Sequence, residues 1–79
     1  MKNCWVAVIT HSFGTDATVC ATQELAVNEV YQYVKEWWNQ ISDQPVIEDK
    51  WKAIEHYFDK TNGMESYDII ESPMIGFQP

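Results

Sequence analysis

Three side chains in this sequence are of the types that acid–base or metal chemistry requires: His11, Asp16 and His56. The stretch 10–16 (THSFGTD) sets His11 and Asp16 on either side of a glycine-containing turn, facing each other across a hairpin mouth. His56, between Glu55 and Tyr57, falls on the polar side of a helical stretch. A metal centre needs three or four converging ligands, and the chain has two histidines. It carries no His-Glu-x-x-His, no paired Cys-x-x-Cys and no phosphate loop with Lys and Ser/Thr. A plainer reading has Asp16, with Thr15, capping loop amides and His11 ending a strand against an aromatic ring. A small metal-binding or hydrolytic protein therefore requires His11, Asp16 and His56 to converge once the chain folds. No cofactor is expected.

The carboxylates carry more information. Twelve of them face five lysines and no arginine, for a net charge of -7. Binding to nucleic-acid phosphates draws on Lys and Arg displacing counterions, so the composition argues against direct nucleic-acid contact. The charge is also unevenly placed. Residues 1–23 hold one lysine and one acid, whereas the remainder holds eleven acids and four lysines. Glu29 and Glu36 are seven apart on one predicted helix, and Glu48, Glu55 and Asp59 follow at +7 and +4 on another. Asp68 lies between Glu65 and Glu71 in a predicted strand. Such rows, spaced on the order of 5–10 Å, imitate a phosphate backbone and would be steered onto a Lys/Arg groove. Trp37, flanking the first helix, is either a core flank or the anchoring ring that charge alone lacks. The same rows would equally serve as a coat that keeps a small protein in solution.

Positioning these groups requires regular elements. Residues 4–10 (CWVAVIT) are β-branched and apolar on both faces, as in a central strand, and 17–21 (ATVCA) return. With 11–16 as the loop, Thr10 would sit opposite Ala17 and Ala7 opposite Cys20, leaving Cys4 on the other face. Thr22 is the expected N-cap of a helix reaching about Gln40, its stripe being Val27, Val30, Tyr31, Val34, Trp38 and Ile41. Pro45 closes a breaker segment. A second helix is predicted from Val46 or Ile47 to Lys60 through Ile47, Trp51, Ile54 and Phe58, with Tyr57 alongside. Asn62-Gly63 is its C-cap signal. A third strand, 65–71, carries charges suited to a sheet edge, and Pro73 ends it. Met74, Ile75 and Phe77 are expected to fold back on the core.

The fold class expected is α+β: a small antiparallel three-stranded sheet with two helices on one face, in the order β-β-α-α-β. Seventy-nine residues make one domain, 1–79, and leave little room for both a core and a deep cavity. Four Trp, four Tyr and three Phe, each burying about 150–250 Å², let so short a chain fold. No run approaches the ~20 apolar residues that span a bilayer, and the first residues lack a signal-peptide pattern. Two reduced cysteines on opposite strand faces complete the expectation of a cytoplasmic, monomeric protein.

A very short, acidic, single-domain α+β chain without a catalytic motif resembles the small accessory proteins of phages and prophages. Among these are anti-CRISPR proteins, many of which block the nucleic-acid surface of a Cas subunit through acidic patches. The resemblance lies in size, charge and aromatic content, and no residue role carries over with it. It implies a non-enzymatic inhibitor that binds a basic, nucleic-acid-handling partner such as a CRISPR effector subunit. Glu29, Glu36, Glu48, Glu55, Asp59 and Asp68 would supply charge and Trp37 the anchor. A third possibility is a homodimer built on Trp37, Tyr33 and the apolar tail.

Overall fold

A computed structural model describes residues 3–73. The first two strands, β1 (Asn3–His11) and β2 (Gly14–Cys20), form an antiparallel hairpin joined by Ser12 and Phe13 alone. His11 pairs with Gly14, Thr10 with Thr15 and Ala7 with Thr18. The turn is thus tighter than the predicted 11–16 loop, and β2 starts three residues earlier. Gly14 makes this possible with φ +134°, a conformation that side-chain-bearing residues rarely adopt. The register has moved by two residues, and an even slip leaves every side chain on its expected face. Trp5, not Ala7, sits opposite Cys20, and Cys4 remains on the other face as a free thiol, like Cys20.

Thr22 caps α1 (Gln23–Trp37), its hydroxyl accepting from the Leu25 amide at 3.2 Å. The helix tightens into a single 3₁₀ turn over Trp38–Gln40, so the predicted end at Gln40 holds while its last turn is not α-helical. The connector that follows is tied back to α1. The indole N–H of Trp38 donates to the Gln44 carbonyl at 2.9 Å, and the Tyr31 hydroxyl donates to the Ile47 carbonyl at 3.1 Å. These bonds hold Val46 and Ile47 outside the second helix, which starts later than predicted, as α2 (Lys50–Lys60). Asp49 caps it by accepting from the Lys52 amide at 3.0 Å. Glu48 therefore precedes the helix and does not share a flank with Glu55 and Asp59.

Beyond α2, Asn62 and Gly63 both take positive φ, 55° and 83°, and turn the chain into β3 (Ser66–Pro73). This strand pairs antiparallel with β1, with Ala7 opposite Ile69 and Thr10 opposite Ser66, giving the sheet order β2-β1-β3. β1 is central and β3 is an edge, as the distribution of apolar and charged residues indicated. The fold is the expected α+β arrangement in the order β-β-α-α-β.

Alternation sets the two sheet faces. Ala7 and Ile9 of β1, Cys20 of β2 and Ile69 of β3 point toward the helices. They meet Ala26, Val27, Val30 and Val34 of α1, while α2 adds Ala53, Ile54 and Tyr57. Alanines at 7, 26 and 53 are almost fully covered, which lets the layers approach closely. Trp51, placed in the core stripe by its spacing, is 44 % exposed, and Tyr57 takes the buried position instead. The opposite sheet face carries Val6, Val8, Val19 and Ile70, of which Val19 is 68 % exposed. The predicted folding-back of Met74, Ile75 and Phe77 lies outside the described residues. Among those residues, no helix is long and apolar enough to cross a membrane.

Candidate functional site

The tight hairpin brings the tip of β1 over the C-terminal part of α1. His11 is the last residue of β1 on the helix-facing side, and its ring stacks on Tyr33 with centroids 6.1 Å apart and planes within 18°. This is the strand-end histidine on an aromatic ring that the sequence suggested. Asp16 lies opposite Ile9, hence diagonal to His11, and its Oδ2 lies 2.9 Å from His11 Nε2. Asp16 does not cap the loop; His11 does, because its Nδ1 accepts from the Phe13 amide at 3.2 Å. An amide donor on Nδ1 places the neutral ring's proton on Nε2, which donates to Asp16. Both ring nitrogens are thereby engaged within the hairpin.

Below His11, Tyr33 occupies the centre of an aromatic cluster. Phe58 stacks on it at 6.2 Å, Tyr57 meets it edge-on at 5.9 Å and Trp37 leans in at 6.4 Å. The hydroxyls of Tyr33 and Tyr57 donate to one oxygen, Oε1 of Glu65, at 2.5 and 2.9 Å. Glu65 reaches them because the Asn62–Gly63 turn delivers the chain there, with the Thr61 hydroxyl donating to Phe58 and Glu65 carbonyls at 2.9 and 3.4 Å. Burial, with the Glu65 carboxylate second, pushes Tyr33 up to about 12 and Tyr57 further in the same direction. Both rings stay neutral donors at any ordinary pH.

Glu65 escaped the sequence reading, which assigned it to a charged sheet edge. The signal was nevertheless present: residues 65, 67 and 69 alternate onto one face, and Tyr67 and Ile69 are apolar. What the sequence does not show is that two distant tyrosines converge on that carboxylate.

Between the hairpin mouth and the C-terminal end of α1 these groups line an open cleft of about 340 Å³. Its carboxylates are Asp16, Glu36 and Glu65, and Trp37 and Phe13 supply ring surface that remains 40 % and 95 % exposed. No lysine lines it. Glu36 and Trp37 are the two predicted partner-binding residues that the fold brings into this cleft.

The other predicted residues lie elsewhere. Glu55 and Asp59 share a shallow hollow on α2 with Lys52 and His56. His56 packs its ring on Trp38 at 5.5 Å and does not join His11 and Asp16, so the convergence required of a three-residue centre is absent. Among the described residues no group of three or more His, Cys, Asp or Glu side chains is placed to hold a metal ion. Glu29 is exposed on α1, near enough to Cys20 that its charge adds to burial in raising that thiol. Glu48 is exposed in the connector, and Asp68, opposite Val8, lies on the sheet face away from the helices. Tyr33, the proposed dimer contact, is occupied within its own chain.

No family model, curated protein or solved structure matches this chain.

Proposed function

We propose that this chain is a non-enzymatic inhibitor or interaction protein, acting in the cytosol, that docks its carboxylates on the basic surface of a nucleic-acid-handling partner. The observation that carries this reading is the lack of internal neutralisation. Among the described residues, no lysine forms an ion pair with a carboxylate; His11 with Asp16 is the one acid–base contact. Lys35 instead lies over the Tyr31 ring at 5.0 Å, and Lys50 donates to the Asn28 side chain. Glu29, Glu36, Glu48, Glu55, Asp59 and Asp68 are exposed without such a partner. A field of this kind raises the encounter rate with a cationic groove and is screened by salt. His56 packs on Trp38 and lies outside the cleft of His11 and Asp16, so the three-residue centre that the hydrolytic alternative called for does not assemble. The resemblance to anti-CRISPR proteins makes a CRISPR effector subunit the first partner to test.

The test is binding of the purified chain to such a subunit at about 50 mM and about 500 mM salt, roughly a threefold change in screening length. Affinity is expected to fall at least tenfold. Reversing Glu29, Glu36, Glu55 and Asp59 to Lys should abolish binding at low salt, and an oligonucleotide should compete with the chain for the subunit. Binding that is insensitive to salt and to charge reversal would refute the electrostatic reading.

A further inference from the structure

We infer that the cleft between the hairpin mouth and the end of α1 is a receptor for a single guanidinium group, the side chain of an arginine. The proposal rests on the basic-partner reading for the source of that arginine, and on the cleft itself for its chemistry. Asp16, Glu36 and Glu65 line one small space that no lysine enters, so any group seated there is favoured by being a cation. Glu65 is held in place on one side only. Both tyrosine hydroxyls use Oε1, and among the described residues no donor reaches Oε2. Asp16 likewise spends Oδ2 on His11 and keeps Oδ1. Acceptor oxygens are thus left over beside a wall of rings.

That combination selects among cations. A quaternary ammonium would use the rings but has no N–H for the carboxylate oxygens. A lysine ammonium has donors but is compact and strongly hydrated, and gains less by lying flat on an indole. A guanidinium is planar and weakly hydrated and carries five N–H donors, so it can stack and donate at once. Trp37 is the strongest of the aromatic partners for a cation. Phe13 stands almost wholly in water at the hairpin tip, its ring tilted toward His11 at 6.3 Å. A cleft of about 340 Å³ is at the low end for small-molecule sites, enough for one long side chain.

The probe is N-acetyl-arginine N-methylamide, titrated into the ¹⁵N-labelled chain at low salt. Saturable shifts are expected at the Trp37 indole N–H and at the amides of His11, Phe13 and Glu65. The lysine analogue and tetramethylammonium should each bind about fivefold more weakly or worse. Glu65→Gln keeps the oxygen that both tyrosines use while removing the charge, and should weaken the arginine probe about fivefold, as should Trp37→Leu. Glu24→Gln removes an equal charge at the other end of α1, about 20 Å away along the axis, and should leave the affinity unchanged. Equal binding of the three probes, equal losses in Glu24→Gln and Glu65→Gln, or shifts spread along α2 would overturn the assignment. If the arginine probe seats in the cleft while no basic protein binds the chain, the cleft stands and the partner reading falls. If a basic subunit binds with the expected salt dependence and Glu65→Gln binds it unchanged, the cleft assignment falls.

Discussion

Tyr57 is fully buried, and its hydroxyl has one acceptor, Oε1 of Glu65 at 2.9 Å. Tyr57→Phe deletes that donor with almost no change of shape. A hydrogen bond to a charged group contributes about 1.5–3 kcal/mol. The lower half of that range applies, because Glu65 is only partly covered and water can replace the donor. The expected loss is about 1.5–2 kcal/mol. For a chain of this size the urea slope is about 1 kcal/mol per M, so the midpoint should fall by about 1.5–2 M. The four tryptophans report the transition by fluorescence. A decisive comparison uses Glu65→Leu as the background. There the Tyr57 hydroxyl is a buried donor that has lost its carboxylate, and removing it relieves an unmet group. Tyr57→Phe should then be neutral or stabilising. An equal cost in both backgrounds would show that the hydroxyl does not act through Glu65, and the account of the cluster would fail.

Three further outcomes follow from the same geometry. Tyr33, Tyr57 and Tyr67 are all raised by burial, so the fold favours their neutral forms. Their contribution is complete below about pH 10 and is lost as the pH rises toward 12, and stability should fall in that window. Phenolate absorbance should show fewer ionised rings at pH 11 in the folded than in the urea-unfolded chain, and identical titrations would contradict it. Cys20 is buried and its thiol raised by burial and by Glu29, whereas Cys4 is partly exposed; thiol reagents should modify Cys4 first, as mass mapping of the adduct would show. Gly14→Ala meets no atom within 4 Å, so its cost is backbone strain alone, about 1–3 kcal/mol by thermal melting; a stabilised variant would disprove the strained turn.

The parts of the fold readable from sequence are those governed by local periodicity and capping. Thr22 as N-cap, the stripe Val27–Val30–Val34–Trp38 and the Asn62-Gly63 stop all depend on neighbours within a few residues. The misplacements have longer-range causes. The start of α2 moved because Tyr31 and Trp38, on another element, bind the connector's carbonyls. Trp51 and Tyr57 exchanged roles because helical spacing identifies a face without saying how far the neighbouring element covers it. Glu36 and Trp37 were named as candidates, yet nothing local indicated that they would share a cleft with Asp16 and Glu65.

By itself, the sequence determined the class of the chain, the order of its elements and its excess of carboxylates over lysines, because composition and short-range pattern suffice for each. Tertiary structure alone decided which carboxylates meet. A two-residue turn set His11 over Tyr33, and a positive-φ turn after α2 carried Glu65 to two tyrosines 32 and 8 residues away. The acids therefore do not form one uniform surface. Three line an aromatic cleft, and the rest are spread over α1, α2, the connector and both faces of β3. The physical reason is that charge is a property of residue type, whereas a site depends on distances that only the packed chain sets.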